Sequence, residues 1–296
     1  MTGIPSIVLL APQAPGMADR LRHLERLAQD VGPVCFRHVH DGQSLEQIAV
    51  ACGDTRAILL ASQTAPIAPL AARLPQLQLV QIFSAGADWL DVAGLAALGV
   101  QVADNDGANA VPVAEHAIAL MLSLYRRLDE LSQSIRGGNW HADFRQRPEA
   151  LHTLAGKRVG IVGLGRIGSR VARRLAAWEC DRVFYDVRSF DEPYLHACDA
   201  RPVPFDELLA TSDIVSLHVP LDHTTRHLLG AQELGRMRSE AMLINTCRGP
   251  VVDEAALICC LEDGRLGGAG LDVFEVEPMA PDNRLLQLSR VVLTPH

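Results

Sequence analysis

The sequence predicts an α/β protein built from two doubly wound parallel-sheet domains. Three observations carry this: strand–helix alternation over the first hundred residues, a second alternation from residue 158 onward, and a glycine-rich turn, Gly163-Leu164-Gly165-Arg166-Ile167-Gly168, set between a strand and a helix. A chain of 296 residues, 48% hydrophobic and 21% charged, suffices for two cores of about 150 residues each. That balance excludes collagen-like, disordered and disulfide-stapled chains. With 27 basic against 35 acidic residues and a net charge of −8, no general positive field draws the molecule to nucleic acid or an anionic membrane.

In chain order, the apolar runs 6–10, 34–36, 57–60, 77–80 and 99–102 are rich in Val, Ile and Leu and read as strands. Between them, 17–29, 44–51, 66–73 and 87–98 have helical spacing or composition. Such alternation implies parallel strands joined by right-handed crossovers. A long helix over 111–136, rich in Ala, Leu, Ile and Met and ended by Gly137-Gly138, opens the second domain. After a polar stretch at Arg145-Gln146-Arg147-Pro148, strands follow at 158–162, 182–185, 214–217, 241–244, 268–271 and 291–293. The N-terminus offers no basic segment, and the run 7–10 is too short for a signal peptide or membrane span, so a cytoplasmic location is expected. Seven cysteines, an odd number without CxxC spacing and mostly within apolar runs, read as reduced, buried thiols.

The glycine turn has chemical content. Gly163 permits the tight turn, Gly165 lets backbone approach a pyrophosphate, and Gly168 permits close helix–strand packing, while the helix N-terminus presents amides to the phosphates. The next strand ends in Asp186, near the spacing of about 20 residues at which an acid meets the ribose hydroxyls. The same acid repels a 2′-phosphate, so NAD is expected over NADP, with Arg188 working against that preference.

Two further strand ends carry uncommon residues. Asn245-Thr246-Cys247-Arg248-Gly249-Pro250 puts Arg248 before a Gly-Pro turn, where its guanidinium can clamp a carboxylate in a cleft between domains, or merely cap the turn. Glu277, in Leu271-Asp272-Val273-Phe274-Glu275-Val276-Glu277-Pro278, is a partner for His296 in Thr294-Pro295-His296. A carboxylate fixes the imidazole tautomer and favours its charged form, as a general acid requires. Sequence distance leaves open whether the two meet.

The glycine fingerprint and these three segments, in this order, resemble the D-isomer-specific 2-hydroxyacid dehydrogenases, with the likeness running from about Phe83 to the last residue. The resemblance implies a flavodoxin-like substrate domain over 1–104 and a Rossmann NAD-binding domain over 105–296. It implies that Arg248 binds the substrate carboxylate and polarises its carbonyl, that His296 is the acid/base and that Glu277 orients it. Ser84, Ala85 and Gly86 correspond to the loop whose amides receive the carboxylate. Cofactor contacts fall on Gly163, Gly165, Arg166, Ile167, Gly168, Asp186, His218, Pro220, Thr225, Thr246, Cys247 and Asp272, the last at the nicotinamide carboxamide; for His218 a buried structural role is equally open. Glu115 and His116 read as structural, and Trp140 as packing or as reaching a partner subunit.

The reaction implied is hydride transfer between NAD(H) and C2 of a small 2-oxo or 2-hydroxy acid, with no metal. No basic residue occurs in Leu60-Ala61-Ser62-Gln63-Thr64, which disfavours 3-phosphoglycerate and leaves glyoxylate, hydroxypyruvate or a modest aliphatic acid. The alternative is a corepressor-like, NAD-bound association module. A homodimer built on the helix 111–136 is the family expectation, as is a segment after the histidine that returns to the first domain. Glu179 stands where relatives usually have glycine after the fingerprint helix.

Overall fold

The computed structural model describes residues 6–30, 32–62, 64–140 and 151–296. The stretch Arg145–Pro148, the residues before Ser6, and Gln63 lie outside the described residues. The chain divides into two compact units, Met1–Ala108 and Asn109–His296.

In the first unit, β1 (Ser6–Ala11), α1 (Met17–Ala28), β2 (Cys35–His40), α2 (Leu45–Cys52), β3 (Ala57–Leu60), α3 (Ile67–Ala71), β4 (Leu79–Ile82), α4 (Val92–Ala97) and β5 (Gln101–Ala103) alternate as expected. The five strands are parallel in the order β2-β1-β3-β4-β5, a doubly wound sheet. Period-two side-chain alternation divides its faces. Val8, Leu10, Ile58, Leu60, Val80 and Ile82 build the main core with α2, α3 and α4, whereas Leu9, Ala11 and Leu59 pack with Met17, Leu21 and Leu24 of α1. Ser44 begins α2 with a reciprocal capping box to Gln47, and Asp91 accepts the Gly94 amide at 2.8 Å, so α4 starts at Val92, later than composition suggests.

The second unit opens with a break in the expected long helix. α5 (Ala110–Arg126) and α6 (Leu128–Arg136) are separated by Arg127 in the left-handed region, φ 49° and ψ 44°. Its amide closes α5 on the Leu124 and Ser123 carbonyls, and its Nε donates to Glu130 Oε2 at 2.7 Å. Left-handed backbone costs an L-residue about 1–2 kcal/mol, and an arginine there offers no glycine or proline as a marker. Next come β6 (Arg158–Val162), α7 (Gly168–Leu175), β7 (Asp181–Tyr185), α8 (Glu192–Cys198), β8 (Arg201–Pro202), α9 (Phe205–Thr211), β9 (Ile214–Leu217), α10 (Ala231–Arg236), β10 (Met242–Asn245), α11 (Glu254–Glu262), β11 (Gly268–Leu271) and β12 (Val291–Leu293). Their sheet is parallel, β12-β11-β10-β9-β6-β7-β8, so strand order reverses between β6 and β9. Every residue of β9, β10 and β11 is buried, as expected of central strands covered on both faces.

Five cysteines are buried free thiols, but Cys35 and Cys259 are exposed, against the uniform burial expected. Trp140 is 74% exposed among the described residues, against the packing role expected. Among the described residues no helix is long and apolar enough to cross a membrane.

α7 tightens into a 3-10 turn ending at Trp178, and Glu179 follows at φ 56° and ψ 30°, the left-handed geometry that glycine adopts without cost. Its carbonyl still accepts the Gly156 amide at 2.8 Å. Glu179→Gly relieves side-chain strain but gains unfolded-state entropy, so a net stabilisation of about 0.5–1 kcal/mol is expected, read as a raised urea midpoint at unchanged m.

Candidate active site

The glycine turn sits at the switch point between the neighbouring strands β6 and β9, the usual ligand position in an open α/β sheet. Gly163, at φ +92°, passes so close to β9 that a Cβ would lie 2.6 Å from the His218 carbonyl oxygen. On Gly168 a Cβ would strike the Gly163 carbonyl, whereas on Gly165 it would meet only the Arg188 guanidinium, 3.1 Å away. Two of the glycines are thus required by packing, and the third leaves backbone open to a ligand. The Tyr194 hydroxyl of α8 ties the turn by donating to the carbonyls of Leu164 (2.9 Å) and Gly165 (3.3 Å). No local motif marks that tyrosine.

At the end of β7, Asp186 Oδ2 accepts the Leu164 amide at 2.8 Å, while Arg188 donates through Nε to Oδ1 (3.2 Å) and through Nη2 to Oδ2 (3.1 Å). The carboxylate side chain is only 5% exposed beneath this guanidinium. Burial opposes ionisation, but the Arg188 side-chain and backbone bonds and the Leu164 amide outweigh it, holding the carboxyl below its ordinary range. Asp186 is therefore anionic at neutral pH. Arg166 is exposed on the turn, and Ile167 is half-buried against the core below.

Two buried polar atoms at neighbouring strand ends lack partners among the described residues: His218 Nδ1 after β9 and Thr246 Oγ1 after β10. The other His218 nitrogen, Nε2, bonds Ser216 Oγ at 2.9 Å. Burial pushes this imidazole down to about 3, so it is neutral near pH 7 and unsuited to acid–base work there. Buried polar groups are rarely left unpaired, and this pair beside an open glycine turn suits a polar dinucleotide. Thr225 Oγ1 donates to the Pro220 carbonyl at 2.7 Å, which folds the loop after His218 onto itself. Cys247 is buried and its thiol is pushed up to about 11 by that burial, so it is inert and lines rather than reacts.

Asn245, at the end of β10 and 1% exposed, braces the arginine turn: its Nδ2 donates to the Arg248 carbonyl at 3.0 Å and its Oδ1 accepts the Cys247 amide at 3.1 Å. Arg248 is half-buried, with Nη1 donating to the Cys247 carbonyl at 2.8 Å. Gly249 packs directly on the loop after β11, where a Cβ would land on the Phe274 carbonyl. The segment bearing Arg248 is thereby seated on the segment bearing Glu277. Asn245 and Gly249 stand in the arginine segment of the sequence without a role marked for either: Asn245 acts on the backbone of residues two and three positions on, and Gly249 on backbone distant in the chain.

Glu277 and His296 meet. Glu277 Oε2 lies 2.8 Å from His296 Nδ1, and Oε1 accepts the Phe274 amide at 2.9 Å. A carboxylate on Nδ1 calls for a proton there and leaves Nε2 as the working nitrogen. Asp272, two residues beyond Gly270, accepts the His296 amide on its carbonyl at 3.0 Å and the Thr294 hydroxyl on Oδ1 at 2.6 Å.

In the first unit, Ser84, Ala85 and Gly86 follow β4, with Gly86 at φ +90°. The amide of Gly86 donates to Asp104 Oδ2 at 3.0 Å, and the Ser84 carbonyl accepts the Asn105 amide at 3.1 Å. One of the three amides expected to receive a substrate carboxylate is thus engaged by a carboxylate of the chain itself.

Residues 118–296 match the family model described as D-isomer specific 2-hydroxyacid dehydrogenase, NAD binding domain. The chain is 40% identical over 223 residues to a glyoxylate reductase of Korarchaeum cryptofilum, an alignment spanning 75% of this chain and 67% of that protein. It is 36% identical over 255 residues to glyoxylate/hydroxypyruvate reductase B of Escherichia coli, spanning 86% and 78% of the two. The holo form of Rhodotorula graminis D-mandelate dehydrogenase superimposes with a TM-score of 0.85 at 29% identity, over 100% of this chain and 88% of that one. A parallel sheet whose switch point suits a nicotinamide dinucleotide, and likenesses of this extent, lead to one conclusion: the chain belongs to the D-isomer specific 2-hydroxyacid dehydrogenase family.

Proposed function

We propose that the protein is an oxidoreductase that moves a hydride reversibly between a nicotinamide dinucleotide and C2 of a small D-2-hydroxy/2-oxo acid. The observation that carries this reading is the 2.8 Å Glu277–His296 pair beside the Arg248 turn, at the strand ends of a dinucleotide-binding sheet. The bound nicotinamide supplies or accepts the hydride. The turn at Gly163, Gly165 and Gly168 receives the pyrophosphate, Asp186 the adenosine ribose, and Thr246, His218 and Asp272 the nicotinamide end. Arg248 holds the carboxylate and polarises the carbonyl, and His296 Nε2 gives its proton to the oxygen as negative charge develops there. Glu277 keeps the imidazole aimed through its bond to Nδ1.

Glyoxylate and hydroxypyruvate are the favoured substrates, because Ala61, Ser62 and Thr64 offer no cation for a phosphate and the two relatives above are named for those acids. The test is turnover of a panel of glyoxylate, hydroxypyruvate, pyruvate, longer aliphatic 2-oxo acids and 3-phosphohydroxypyruvate with NADH and NADPH. Tight NADH binding without turnover of any acid overturns the enzyme reading.

NAD is favoured over NADP by the buried Asp186 charge, against which Arg188 works. Asp186→Ala should move the ratio of kcat/KM values toward NADPH by roughly tenfold, and Arg188→Ala should move it the other way. An unchanged ratio in both removes Asp186 from the adenosine end.

A homodimer is supported by apolar side chains on and beyond α6, where Leu128 and Ile135 are about half exposed and Trp140 stands in solvent. Light scattering should give twice the chain mass, and Ile135→Asp should shift it toward one copy.

A further inference from the structure

Asp272 is held by a helix remote in sequence. His116 Nε2, on α5, lies 2.9 Å from Thr294 Oγ1 and 3.3 Å from Asp272 Oδ1. The Thr294 hydroxyl spends its one proton on Asp272, so its oxygen accepts from His116; the chain of bonds therefore runs Nε2–H to Oγ1–H to Oδ1 and fixes the imidazole tautomer. The reach depends on how closely α5 approaches β11. Gly270 has no side chain where a Cβ would sit 2.9 Å from Leu120 Cβ and 3.4 Å from Leu124 Cδ1, so α5 lies almost on the strand and His116, one turn before Leu120, comes level with the strand end. Backbone continues the connection: Thr294 donates its amide to the Leu271 carbonyl, and His296 donates its amide to the Asp272 carbonyl, each at 3.0 Å.

We propose that His116, through Thr294 and Asp272, is a positioning residue that sets where the His296 imidazole and the nicotinamide-facing Asp272 stand. The inference rests on the hydride-transfer reading above. One residue, Asp272, serves both ends of the reaction: its carbonyl carries the backbone of the acid/base, and its carboxylate is anchored by a threonine and a histidine. Reorienting Asp272 moves both at once, and displacements on the order of 1 Å at a reacting centre cost about 100-fold in rate.

The test pairs each deletion of the bond with a variant that keeps it. His116→Phe preserves a ring without a donor, and Thr294→Val preserves shape without a hydroxyl; both should lower kcat about 10- to 100-fold with the 2-oxo acid KM changed less than about threefold. The NADH dissociation constant, measured by fluorescence without turnover, should rise about three- to tenfold in both. His116→Gln and Thr294→Ser, which restore a donor and a hydroxyl, should recover most of each loss, and the double variant His116→Phe/Thr294→Val should be no worse than the poorer single, because both interrupt one chain of bonds. Thermal unfolding of every variant is followed alongside. Values for His116→Phe and Thr294→Val within about twofold of the parent, or Gln and Ser variants as poor as Phe and Val at equal stability, overturn the proposal. Should the unsubstituted protein turn over no 2-oxo acid, the hydride-transfer reading fails on its own, and NADH affinity unchanged in both variants then overturns the positioning role separately.

Discussion

Replacing His296 by alanine is expected to lower kcat for reduction of a 2-oxo acid by roughly 10²- to 10⁴-fold, the usual contribution of a positioned general acid. KM for the acid and the NADH dissociation constant should move little, because the imidazole assists the developing oxygen charge rather than ground-state binding. The side chain is 47% exposed and packs against no core, so its truncation should leave the thermal unfolding temperature nearly unchanged. Glu277→Gln is the informative companion. It retains an oxygen for the Phe274 amide but removes the charge facing Nδ1, and should give a smaller loss, about 10- to 100-fold, again in kcat. Glu277→Ala removes the amide's acceptor as well, so it should add a loss of stability that the glutamine variant lacks. Pre-steady-state measurement of the single-turnover rate with deuterated NADH checks the assignment: if His296→Ala leaves hydride transfer at the parental rate, the imidazole is not the proton donor.

What could be read from the sequence follows the range of the interactions concerned. The glycine turn was legible because two of its glycines answer to demands that any reader of a strand–turn–helix can infer, a positive φ at Gly163 and close packing at Gly168, and the third, Gly165, to the approach of a ligand. The parallel, doubly wound architecture was equally accessible, since alternation of short apolar runs with helices admits few topologies; the order of the strands was not. Glu277 and His296 formed a possible pair only, because 19 residues separate them and nothing in the spacing closes that gap. Contacts across the fold were invisible: His116 reaches Thr294 over 178 residues, and Gly249 packs on the Phe274 backbone through the absence of a side chain rather than through a motif of its own. One break was missed for a related reason. Arg127 adopts left-handed backbone without being glycine, held there by its amide bonds to the Leu124 and Ser123 carbonyls, so composition predicts one long helix where there are two, whereas the left-handed turn at Glu179 was legible because relatives usually carry glycine there. The Asp186 carboxylate shows the same limit in electrostatics. Its place at the strand end follows from spacing, whereas its burial beneath Arg188 depends on a rotamer.

Arg248→Ala should cost roughly 10³-fold or more in kcat/KM for the 2-oxo acid, the second large effect and a different one in kind. The guanidinium is required twice in the proposed reaction: its fork binds the substrate carboxylate in the ground state, and its charge meets the carbonyl oxygen as hydride arrives. Loss of the first raises KM and loss of the second lowers kcat, so both should change, in contrast to His296→Ala, where kcat alone moves. Arg248→Lys separates charge from shape. Lysine keeps the positive charge but not the planar pair of donors, and its shorter head cannot donate to the Cys247 carbonyl and the substrate together; it should remain about 10- to 100-fold below the parent. The turn itself should survive either change, because the Asn245 amide holds the Arg248 carbonyl, not its side chain, and Gly249 keeps the segment seated against Phe274. NADH affinity should therefore stay near the parental value. Added guanidinium ion should restore part of the activity of Arg248→Ala and none of that of His296→Ala, since only the first leaves a gap of that shape and charge. A parental KM in Arg248→Ala, or rescue of neither variant, would remove Arg248 from carboxylate recognition and return it to the simpler role of capping the turn.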